Sequence, residues 1–403
     1  MGSAAGSGYD VDHLPLGVVD IPDCADLAGP HIATRIGDRV LSLTGLAAVG
    51  GAPESLRSIV AGQDLGPILA AGAVVWADLR SWLVEVLTDA EREEAARPHL
   101  YPLADTRPRL PFAVADLVDF YCSEHHATRV GELFRPDGDP LLPNWRHLPV
   151  GYHGRAGTVV VSGTPVSRPW GQRRTSETDD QGRVATYAPS RRLDLEAEVG
   201  FVVGPATDPG TRVAADDLEE HVFGVVLLND WSARDVQGWE YVPLGPFLGK
   251  AFATSVAAWV TPLAALRDAR VPLPGQQPPP LPHLAVSEPA GYDIDLEVVI
   301  NGEVVSRPPY ASTYWSPGQM LAHLTSGGLP LRSGDLFASG TVSGPDDDQR
   351  GCLLELTHGG QQPVLVAGAE RTFLEDGDEV TLRATAGSIT LAEVTGTIAP
   401  AAD

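Results

Sequence analysis

The apolar run at residues 222–228 (VFGVVLL) is the feature that most constrains the fold of this chain. A run this short and this rich in β-branched side chains is typical of a buried strand rather than of a helix. It ends at once in Asn229 and Asp230, so a carboxylate follows a core strand directly. Ligand-binding residues are commonly placed at such strand ends by a rigid sheet. The pattern therefore predicts a functional site around Asp230.

Lys250 follows this strand and is the only lysine among the 28 cationic residues of the chain. Arginine is bulky and permanently charged, whereas lysine is a compact point charge on a flexible stem. Two interpretations remain open. Lys250 is either a chance survivor of a bias toward arginine or the occupant of a small buried pocket that arginine cannot fill.

The charge balance and the cysteines limit the partners and the compartment of the protein. A net charge of −25 over 403 residues is unsuited to nucleic acid or anionic membranes, both of which require clustered cations. No apolar run reaches the ~20 residues of a membrane span, and the first ten residues lack the features of a secretory signal. Cys24, Cys122 and Cys352 form no CxxC pair, so we expect free thiols and a cytoplasmic location.

Residues 1–110 are predicted to form a separate N-terminal region without catalytic groups. Alternating runs within residues 31–43 turn on a Gly-Asp pair, which predicts a hairpin. Apolar residues at helical spacing within residues 76–86 and a charged segment at 90–97 predict two helices. The three prolines of residues 101–111 indicate a linker to the rest of the chain.

An acidic strand is predicted at residues 193–203 (LDLEAEVGFVV). Alternate side chains of a strand share a face, so Asp194, Glu196 and Glu198 should point the same way. Two unit charges ~4 Å apart repel by about 4 kcal/mol at an intermediate dielectric, so a partly buried acidic row requires a cation. Oxygen ligands favour Mg²⁺ or Ca²⁺ over zinc. A solvent-exposed strand face is the alternative that remains open.

Several other segments carry simpler structural predictions. Residues 171–189 are polar and turn-rich and are expected to be an exposed loop. Residues 353–356 (LLEL) are expected to place Glu355 inside an apolar strand. Residues 292–306 are predicted to be a hairpin that turns on Asn301 and Gly302, and residues 316–324 a short helix.

The residues after position 111 offer two sets of chemically active side chains. The candidate oxygen ligands of a divalent cation are Asp119, Glu196, Glu198 and Asp230. The candidate acid–base residues are His125, His126 and Glu355, and Cys122 beside them is either a nucleophile or small filler. Carboxylates around a cation, with a His–Glu pair nearby, are typical of Lewis-acid activation of a carbonyl combined with general-base activation of water.

Several strings of this sequence resemble the fumarylacetoacetase family, and the resemblance runs nearly from end to end. They are DFY at 119–121, HAT at 126–128, PNWRHLPVGYHGRA at 143–156, LDLEAE at 193–198, LLNDWSARD at 227–235, WEYVPLGPFLGK at 239–250, ASGTVSGP at 338–345 and LLEL at 353–356. An ExE pair with a downstream Asp is shared by a wide superfamily of hydrolases, decarboxylases and isomerases of oxo-acids. The two longest strings, which contain NWRHLPVGYHGR and WEYVPLGPFLGK, are much more specific to the fumarylacetoacetase family.

The resemblance implies a mostly β protein with some helices that works as a homodimer. Its expected parts are a small SH3-like N-terminal β-barrel over residues 1–110 and a larger catalytic β-roll domain over residues 111–403. It also implies a metal-dependent hydrolase that cleaves a carbon–carbon bond of the diketo acid 4-fumarylacetoacetate, giving fumarate and acetoacetate at the end of tyrosine and phenylalanine breakdown.

The resemblance also implies roles for individual residues. The expected ligands of Mg²⁺ or Ca²⁺ are Asp119, Glu196, Glu198 and Asp230, with Lys250 and Thr254 beside a second Mg²⁺ position. The expected catalytic residues are His126 as base, Glu355 as its orienting partner, and Arg234, Gln237 and Lys250 around the departing carbanion. The expected substrate contacts are Tyr121, Arg135, Tyr152, Gln237, Tyr241 and Thr341. A protonated ammonium cannot ligate a metal, so an indirect role is expected for Lys250 at that second position.

Two other functions remain open at this point. One is a related hydrolase or decarboxylase acting on another acylpyruvate or oxo-acid. The other is a non-catalytic acidic calcium-binding protein, which would bind metal without turnover and would leave His126, Lys250 and Glu355 without a role.

Overall fold

The computed structural model describes residues 6–22, 29–175 and 178–402. Cys24, predicted to be a free thiol, lies outside these ranges. The strands of the N-terminal region are β1 (Leu16–Asp20), β2 (Pro30–Ile36), β3 (Arg39–Ser42), β4 (Leu100–Pro102) and β5 (Arg107–Pro108). Its helices are α1 (Leu43–Ala48), α2 (Glu54–Val60), α3 (Gly66–Ala70), α4 (Ala73–Thr88) and α5 (Ala90–Ala96).

The local predictions for this region are confirmed except for the linker. Strands β2 and β3 form the predicted hairpin, with Ile36 paired to Arg39. Helices α4 and α5 are separated by Asp89, whose side chain accepts hydrogen bonds from the backbone N–H groups of Glu91 and Arg92 and so caps α5. The predicted linker is instead part of the sheet, because β4 pairs with β3 and β5 pairs with β1.

The remaining described residues contain most of the strands. These are β6 (Leu117–Phe120), β7 (Gly151–His153), β8 (Val159–Val161), β9 (Val166–Ser167), β10 (Trp170–Arg174), β11 (Ala185–Pro189), β12 (Leu193–Asp194), β13 (Ala197–Val203), β14 (Val222–Asp230), β15 (Ser232–Ala233), β16 (Thr254–Val256), β17 (Trp259–Pro262), β18 (Arg270–Val271), β19 (Gly291–Tyr292), β20 (Asp295–Ile300), β21 (Glu303–Ser306), β22 (Leu336–Ala338), β23 (Val364–Val366), β24 (Ala369–Arg371), β25 (Glu379–Ala386) and β26 (Ile389–Ala399). The helices are α6 (Glu124–Phe134), α7 (Leu218–His221), α8 (Arg234–Glu240), α9 (Pro317–Thr325) and α10 (Leu353–Leu356).

Two larger sheets organise these strands. The main sheet runs in the order β4-β3-β2-β1-β17-β14-β13-β22-β6-β7, with β16, β8 and β5 attached at its sides. The second sheet runs β21-β20-β25-β26-β9. Strand β1 pairs with β17 through Leu16–Val260 and Gly17–Trp259, so the N-terminal region and the rest of the chain share one sheet.

Strand β14 is the buried core strand that the sequence predicts. All of its residues are buried, and it pairs with β13 along its length and with β16 and β17 on its other side. Gly224 makes the close approach to β17 possible, since a Cβ atom there would lie 2.3 Å from the carbonyl oxygen of Thr261. The strand ends at Asp230, which therefore lies at the edge of the hydrophobic core.

Two other predicted elements are confirmed in detail. Helix α9 begins after Ser316, and a capping box links the side chains of Ser316 and Gln319 to each other's backbone N–H groups. Strands β20 and β21 form the predicted hairpin, with Asn301 at φ 52° and Gly302 at φ 82°. Both residue types tolerate this left-handed conformation, which a tight hairpin turn requires.

Two predictions about local structure are wrong, and a third is confirmed only in part. Most described residues of 171–189 are exposed, as expected, but the two ends pair as a hairpin, β10 with β11, and Gly171 packs closely on Val236 of α8. Residues 353–356 are a short helix, α10, because hydrogen bonds from outside cap its first turn. Residues 193–203 are two strands, β12 and β13, with Glu196 in the break between them.

The fold is mostly β with some helices, as predicted. Among the described residues we find no closed barrel, and the strands of the N-terminal region continue into the main sheet; the SH3-like barrel is therefore not confirmed. No helix in the described ranges has both the length and the apolar character needed to cross a membrane.

Candidate active site

Four carboxylates meet at one end of the main sheet. Asp119 lies in β6, Glu198 in β13, Asp230 ends β14, and Glu196 stands in the break before β13. One oxygen atom from each lies within 4.8 Å of the others, and no residue of the four is more than 6% exposed. We call this set of Asp119, Glu196, Glu198 and Asp230 the acidic group.

Strand register produces the acidic group from residues that are far apart in sequence. Glu198 pairs with Leu228 two residues before Asp230, and Ala338 of β22 pairs with both Gly200 and Asp119. The strands β14, β13, β22 and β6 therefore hold the acidic residues side by side. Burial of all four excludes the solvent-exposed strand face that the sequence left open.

Lys250 places a positive charge against two members of the acidic group. Its Nζ lies 2.5 Å from Oε2 of Glu196 and 2.5 Å from Oδ2 of Asp230, and the residue is 6% exposed. Thr254 donates to Oδ1 of Asp230 at 3.2 Å, and the Tyr152 hydroxyl donates to Oδ2 at 3.3 Å. Of the two interpretations of the lone lysine, the buried pocket is the one that the structure supports.

Other oxygens of the acidic group have no hydrogen-bond partner among the described residues. These are Oδ1 of Asp119 and both carboxylate oxygens of Glu198, all inaccessible to solvent. An unpartnered buried carboxylate oxygen is costly, and such groups in native structures call for an explanation such as a bound ion.

Burial and mutual repulsion perturb the titration of these carboxylates. Burial, and then the charges of Asp119 and Asp230, raise the pKa of Glu198 well above its ordinary value. Burial, and then the charge of Asp230, raise the pKa of Asp119 in the same way. Burial alone would raise the pKa of Glu196 too, but Lys250 and Arg234 outweigh it and hold that pKa below its ordinary value.

The donor set of the acidic group fits a hard divalent cation. It offers only carboxylate oxygens, which suit Mg²⁺ and Ca²⁺ better than zinc. The chain supplies two cations, Lys250 and Arg234, against four buried carboxylates, and both contact Glu196 or Asp230. Positive charge is therefore lacking where the unpartnered oxygens of Asp119 and Glu198 lie. A cation bound there would supply both the missing charge and the missing ligands.

The second part of the site is a buried imidazole paired with a carboxylate. His126 lies in the first turn of α6, whose N-cap Ser123 accepts a hydrogen bond from the backbone N–H of His126. Nδ1 of His126 lies 2.6 Å from Oε2 of Glu355, in α10. Both side chains are buried, whereas His125 is partly exposed. We call His126 and Glu355 the His–Glu pair of the site.

Glu355 is held by several donors at once. Its Oε2 accepts from Nδ1 of His126, from the hydroxyl of Ser343 at 2.8 Å and from the thiol of Cys352 at 3.2 Å, while Nη1 of Arg129 lies 3.4 Å from Oε1. Burial alone would raise the pKa of Glu355, but His126 and these hydrogen bonds outweigh it and lower the pKa below its ordinary value. Glu355 is therefore an ionised acceptor.

A buried guanidinium links Glu196 of the acidic group to two further side chains. Nη1 of Arg234 lies 2.7 Å from Oε1 of Glu196 and 3.1 Å from the side-chain oxygen of Gln237, and its Nε donates to Asp194 at 2.8 Å. Its Nη2 is buried without a partner among the described residues. Asp194 is thus not a member of the acidic group, contrary to the prediction of one acidic face, because the break after β12 separates it from that group.

The residues expected to contact substrate lie at different distances from these groups. The rings of Tyr121 and His126 are 5.3 Å apart and nearly perpendicular, and the hydroxyl of buried Thr341 has no partner among the described residues. Arg135 is close enough to Tyr121 for its charge to act on the phenol, although its own hydrogen bonds go to the backbone of residues 139 and 140. Tyr241 follows α8 and lies against Phe134, at the outer side of the site.

A cavity of about 170 Å³ opens on the acidic group. Asp119, Glu198, Asp230 and Lys250 line it, together with Arg155 and Phe247. Arg155 was not among the predicted site residues, although it lies in the string at 143–156. A cavity of this size can hold a small molecule or part of one.

Comparison with known proteins identifies the family. The family model described as "Fumarylacetoacetate (FAA) hydrolase C-terminal" matches residues 117–398, and the model "Fumarylacetoacetase N-terminal" matches residues 12–111. A fumarylacetoacetase of Oryza sativa is 42% identical over 395 residues, covering 94% of this chain and 91% of the relative. This chain belongs to the fumarylacetoacetase family. The fumarylacetoacetases of Rattus norvegicus and Homo sapiens are 41% and 40% identical over 391 residues, covering 94% of this chain and 92% of each relative.

Solved structures of other proteins share the fold at low sequence identity. A fumarylacetoacetate hydrolase from Exiguobacterium antarcticum matches with a TM-score of 0.57 and 15% identity, covering 96% of this chain and 99% of that one. A maleylpyruvate hydrolase from a Sphingobium species matches with a TM-score of 0.51 and 16% identity, covering 96% and 100%. At these identities the likeness concerns the fold alone.

Three residues that shape the site of this family member were not predicted in their observed roles. Ser343 and Cys352 were not considered as donors to Glu355, and Asp194 was expected only to share a strand face with Glu196 and Glu198. Ser343 lies in the string at 338–345, so the resemblance offered a signal for it. Asp194 offered only the alternation of a strand, and that signal was misleading because the strand is interrupted.

Proposed function

We propose that this chain is a metal-dependent hydrolase that cleaves 4-fumarylacetoacetate into fumarate and acetoacetate. One observation carries the proposal: a buried carboxylate group with unpartnered oxygens lies in one site with a buried His–Glu pair. Arg234 and Lys250 contact Glu196, and His126 is near enough to act electrostatically on the same carboxylate. Relatives of 40–42% identity over 94% of the chain bear the name fumarylacetoacetase, which supports this substrate.

The base in this proposal is His126. Glu355 is ionised and can only accept hydrogen bonds, so Nδ1 of His126 carries the proton that it accepts. Nε2 is then left with a free lone pair and takes a proton from water as the water attacks the carbonyl carbon of the fumaryl group, whose bond to the acetoacetate CH₂ then breaks. The proton on Nε2 is available to the leaving group later in the reaction.

The departing group in this proposal is acetoacetate, which leaves as an enolate-like carbanion when the carbon–carbon bond breaks. The pKa of Lys250 supports a fixed positive charge there: burial alone would lower it, but Asp230 and Glu196 outweigh burial and raise it above its ordinary value. Arg234 has the free Nη2 donor, and Gln237 accepts from Arg234 with its oxygen, which leaves its NH₂ group to donate. Fixed donors at a developing charge commonly contribute a factor of roughly 10²–10³ each.

The cation in this proposal is Mg²⁺ or Ca²⁺, held by Asp119, Glu196, Glu198 and Asp230. When bound, it polarises the oxo-acid part of the substrate. Thr254 and Lys250 are assigned to the neighbourhood of a second Mg²⁺ position, with Lys250 in an indirect role. The substrate contacts are assigned to Tyr121, Arg135, Tyr152, Gln237, Tyr241 and Thr341.

The finer architecture and context are part of the same proposal. The chain is divided into an SH3-like barrel domain over residues 1–110 and a catalytic β-roll domain over residues 111–403. It acts as a homodimer in the cytoplasm and has neither nucleic-acid nor membrane partners, in keeping with its net charge of −25.

A direct assay tests this function. Purified protein is mixed with 4-fumarylacetoacetate in the presence of Mg²⁺ or Ca²⁺, and loss of the diketo absorbance is followed while fumarate is quantified. We expect both signals to change together and to stop after chelation. Release of pyruvate or CO₂ from short acylpyruvates, without fumarate release, would assign the chain to a related hydrolase or decarboxylase. Metal binding without any turnover would support a calcium-binding protein.

A further inference from the structure

Asp194 is a fully buried carboxylate with every oxygen lone pair in use. It accepts hydrogen bonds from four donors, which are the backbone N–H groups of Leu195 (2.8 Å), Leu353 (2.8 Å) and Leu354 (2.9 Å) and Nε of Arg234 (2.8 Å). The two oxygens of a carboxylate offer about four acceptor positions, so none is left for a metal or a substrate. Its role must therefore be exerted through the groups that it holds.

One of those groups is the first turn of α10. Leu353 and Leu354 are the first two residues of this helix, and their N–H groups have no partner within it. Asp194 accepts from both, and the next residue along the helix is Glu355. The carboxylate that orients His126 is thus attached to a turn whose start is fixed by Asp194.

The other group is the guanidinium of Arg234. Asp194 accepts from Nε, while Nη1 contacts Glu196 and Gln237, so two edges of the planar group are occupied. This leaves Nη2 as the free donor in one fixed orientation. The pairing of β12 with β15, which sets Asp194 opposite Ser232 two residues before Arg234, keeps the two side chains in reach.

We propose that Asp194 is a positioning residue that aligns the two halves of the reaction centre with each other. It holds Arg234 so that Nη2 faces the carbanion that departs, and it holds the α10 turn so that Glu355 orients His126. This role rests on the proposed function and adds a residue that touches neither substrate nor metal. Asp194→Asn keeps the size of the side chain but turns an NH₂ group toward two of the four donors.

We expect Asp194→Asn to lower kcat by about 100-fold, the usual effect of misplacing one electrostatic donor, while KM changes by less than about threefold. The matched control is Asp378→Asn. Asp378 is also a buried aspartate and accepts from Arg371, from Asn301 and from the backbone N–H of Glu375, but it lies outside the site. The control should lose melting temperature without losing kcat, measured well below both transitions.

A double-mutant cycle separates positioning from general destabilisation. Asp194→Asn is combined with Arg234→Met and, separately, with Glu355→Gln, and kcat is measured for fumarate release. If Asp194 acts through these residues, it lowers kcat by a smaller factor in each variant than in the wild type. The same factor in all three backgrounds would overturn the proposal, as would unchanged turnover of Asp194→Asn.

Two further outcomes keep the interpretation clear. An Asp194→Asn variant that does not fold, while Asp378→Asn folds, would assign Asp194 to folding and overturn the positioning role; the melting curve and a Ca²⁺ titration report this. A wild-type protein that releases no fumarate would overturn the proposed function itself. An active wild type with an unimpaired Asp194→Asn variant would overturn only the role of Asp194.

Discussion

The acidic group and the His–Glu pair lie in one site and are both buried, but they differ in how completely their carboxylate oxygens are hydrogen-bonded. In the acidic group, Oδ1 of Asp119 and both oxygens of Glu198 have no partner among the described residues. In the His–Glu pair, a single oxygen of Glu355 accepts hydrogen bonds from an imidazole, a hydroxyl and a thiol. The same chemical group, a buried carboxylate, is left incomplete in one place and fully partnered in the other.

This difference shows which part of the site the chain completes by itself. Polar atoms buried without partners destabilise a fold, so the acidic group depends on a ligand from outside. The His–Glu pair needs no outside ligand, and its geometry is fixed when the chain folds. We therefore expect substitutions in the His–Glu pair to lower turnover and the stability of the metal-free protein. Substitutions in the acidic group should weaken metal binding.

The largest loss of turnover should come from a substitution in the His–Glu pair. His126→Ala removes the proton acceptor, and we expect kcat to fall by up to about 10⁴-fold. His125→Ala, one residue earlier on the same helix, is the matched control and should stay within about twofold of the wild type. Steady-state rates of fumarate release measure both. Full activity of His126→Ala would mean that another residue is the base.

Lys250→Met tests the positive charge that Lys250 places against the acidic group. We expect kcat to fall by roughly 10²–10³-fold, because a fixed positive donor at the developing charge is lost. Glu196 and Asp230 also lose their buried partner, so the melting temperature without divalent ions should fall and a saturating divalent ion should restore it. Lys250→Arg keeps the charge and should recover more stability than turnover, because the pocket is small. Near-normal turnover of Lys250→Met would contradict the role assigned to Lys250.

A crossed pair of substitutions tests the comparison most directly. Glu198→Gln should weaken Ca²⁺ or Mg²⁺ binding by roughly 10- to 100-fold, since carboxylate charge sets the affinity of oxygen sites, without lowering metal-free stability. Glu355→Gln should do the reverse and cost about 1–3 kcal/mol of metal-free stability, because several buried hydrogen bonds are disturbed. Calorimetric titration and chelator-treated melting curves measure the two quantities. Equal effects of both variants on either quantity would remove the distinction.

A buried histidine outside the site, His13, gives the smallest expected effect. Nδ1 of His13 lies 2.8 Å from the carbonyl oxygen of Gly8 and Nε2 lies 2.9 Å from the hydroxyl of Thr261. Burial lowers the pKa of His13 to about 4, below the ordinary value of 6.5. The unfolded chain therefore binds the proton first, and the stability contributed by neutral His13 is present above pH 6.5 and is lost as the pH falls toward 4.

At pH 5 this loss amounts to roughly 2 kcal/mol of unfolding free energy. His13→Gln keeps a hydrogen-bonding side chain without the titration, so the difference in unfolding free energy between pH 8 and pH 5 should shrink by about that amount. Urea unfolding at the two pH values measures it in both proteins. The same pH dependence in His13→Gln as in the wild type would show that His13 does not control it.

Sequence patterns predicted the elements whose signals are local. The β14 strand, the β2–β3 hairpin and the capped helix α5 each depend on a few neighbouring residues, and all three are present. Helix α10 was predicted as a strand because the apolar letters LLEL carry no helical period in four residues. It is a helix because Asp194, more than 150 residues earlier, accepts from its first N–H groups.

The residues that come together in the site were predicted better than the contacts among them. The resemblance supplied His126 with Glu355 and the four expected metal ligands, and the structure brings the residues of each set together. Alternation along residues 193–203 could not reveal the break at Glu196, so it could not separate Asp194 from the acidic group. Only the register of β12 with β15 shows that Asp194 faces Arg234 instead.

The pairing of β1 with β17 has a consequence for any attempt to shorten this protein. Strand β17 also pairs with β14. Removal of the N-terminal region would therefore leave the side of β17 that now pairs with β1 as an open sheet edge. Open edges recruit strands of other chains and promote aggregation. Gly17 marks how close this joint is, since a Cβ atom there would lie 2.6 Å from the ring of Trp259. The N-terminal region thus covers an edge of the sheet whose other strands, beginning with the adjacent β14, carry the reaction centre.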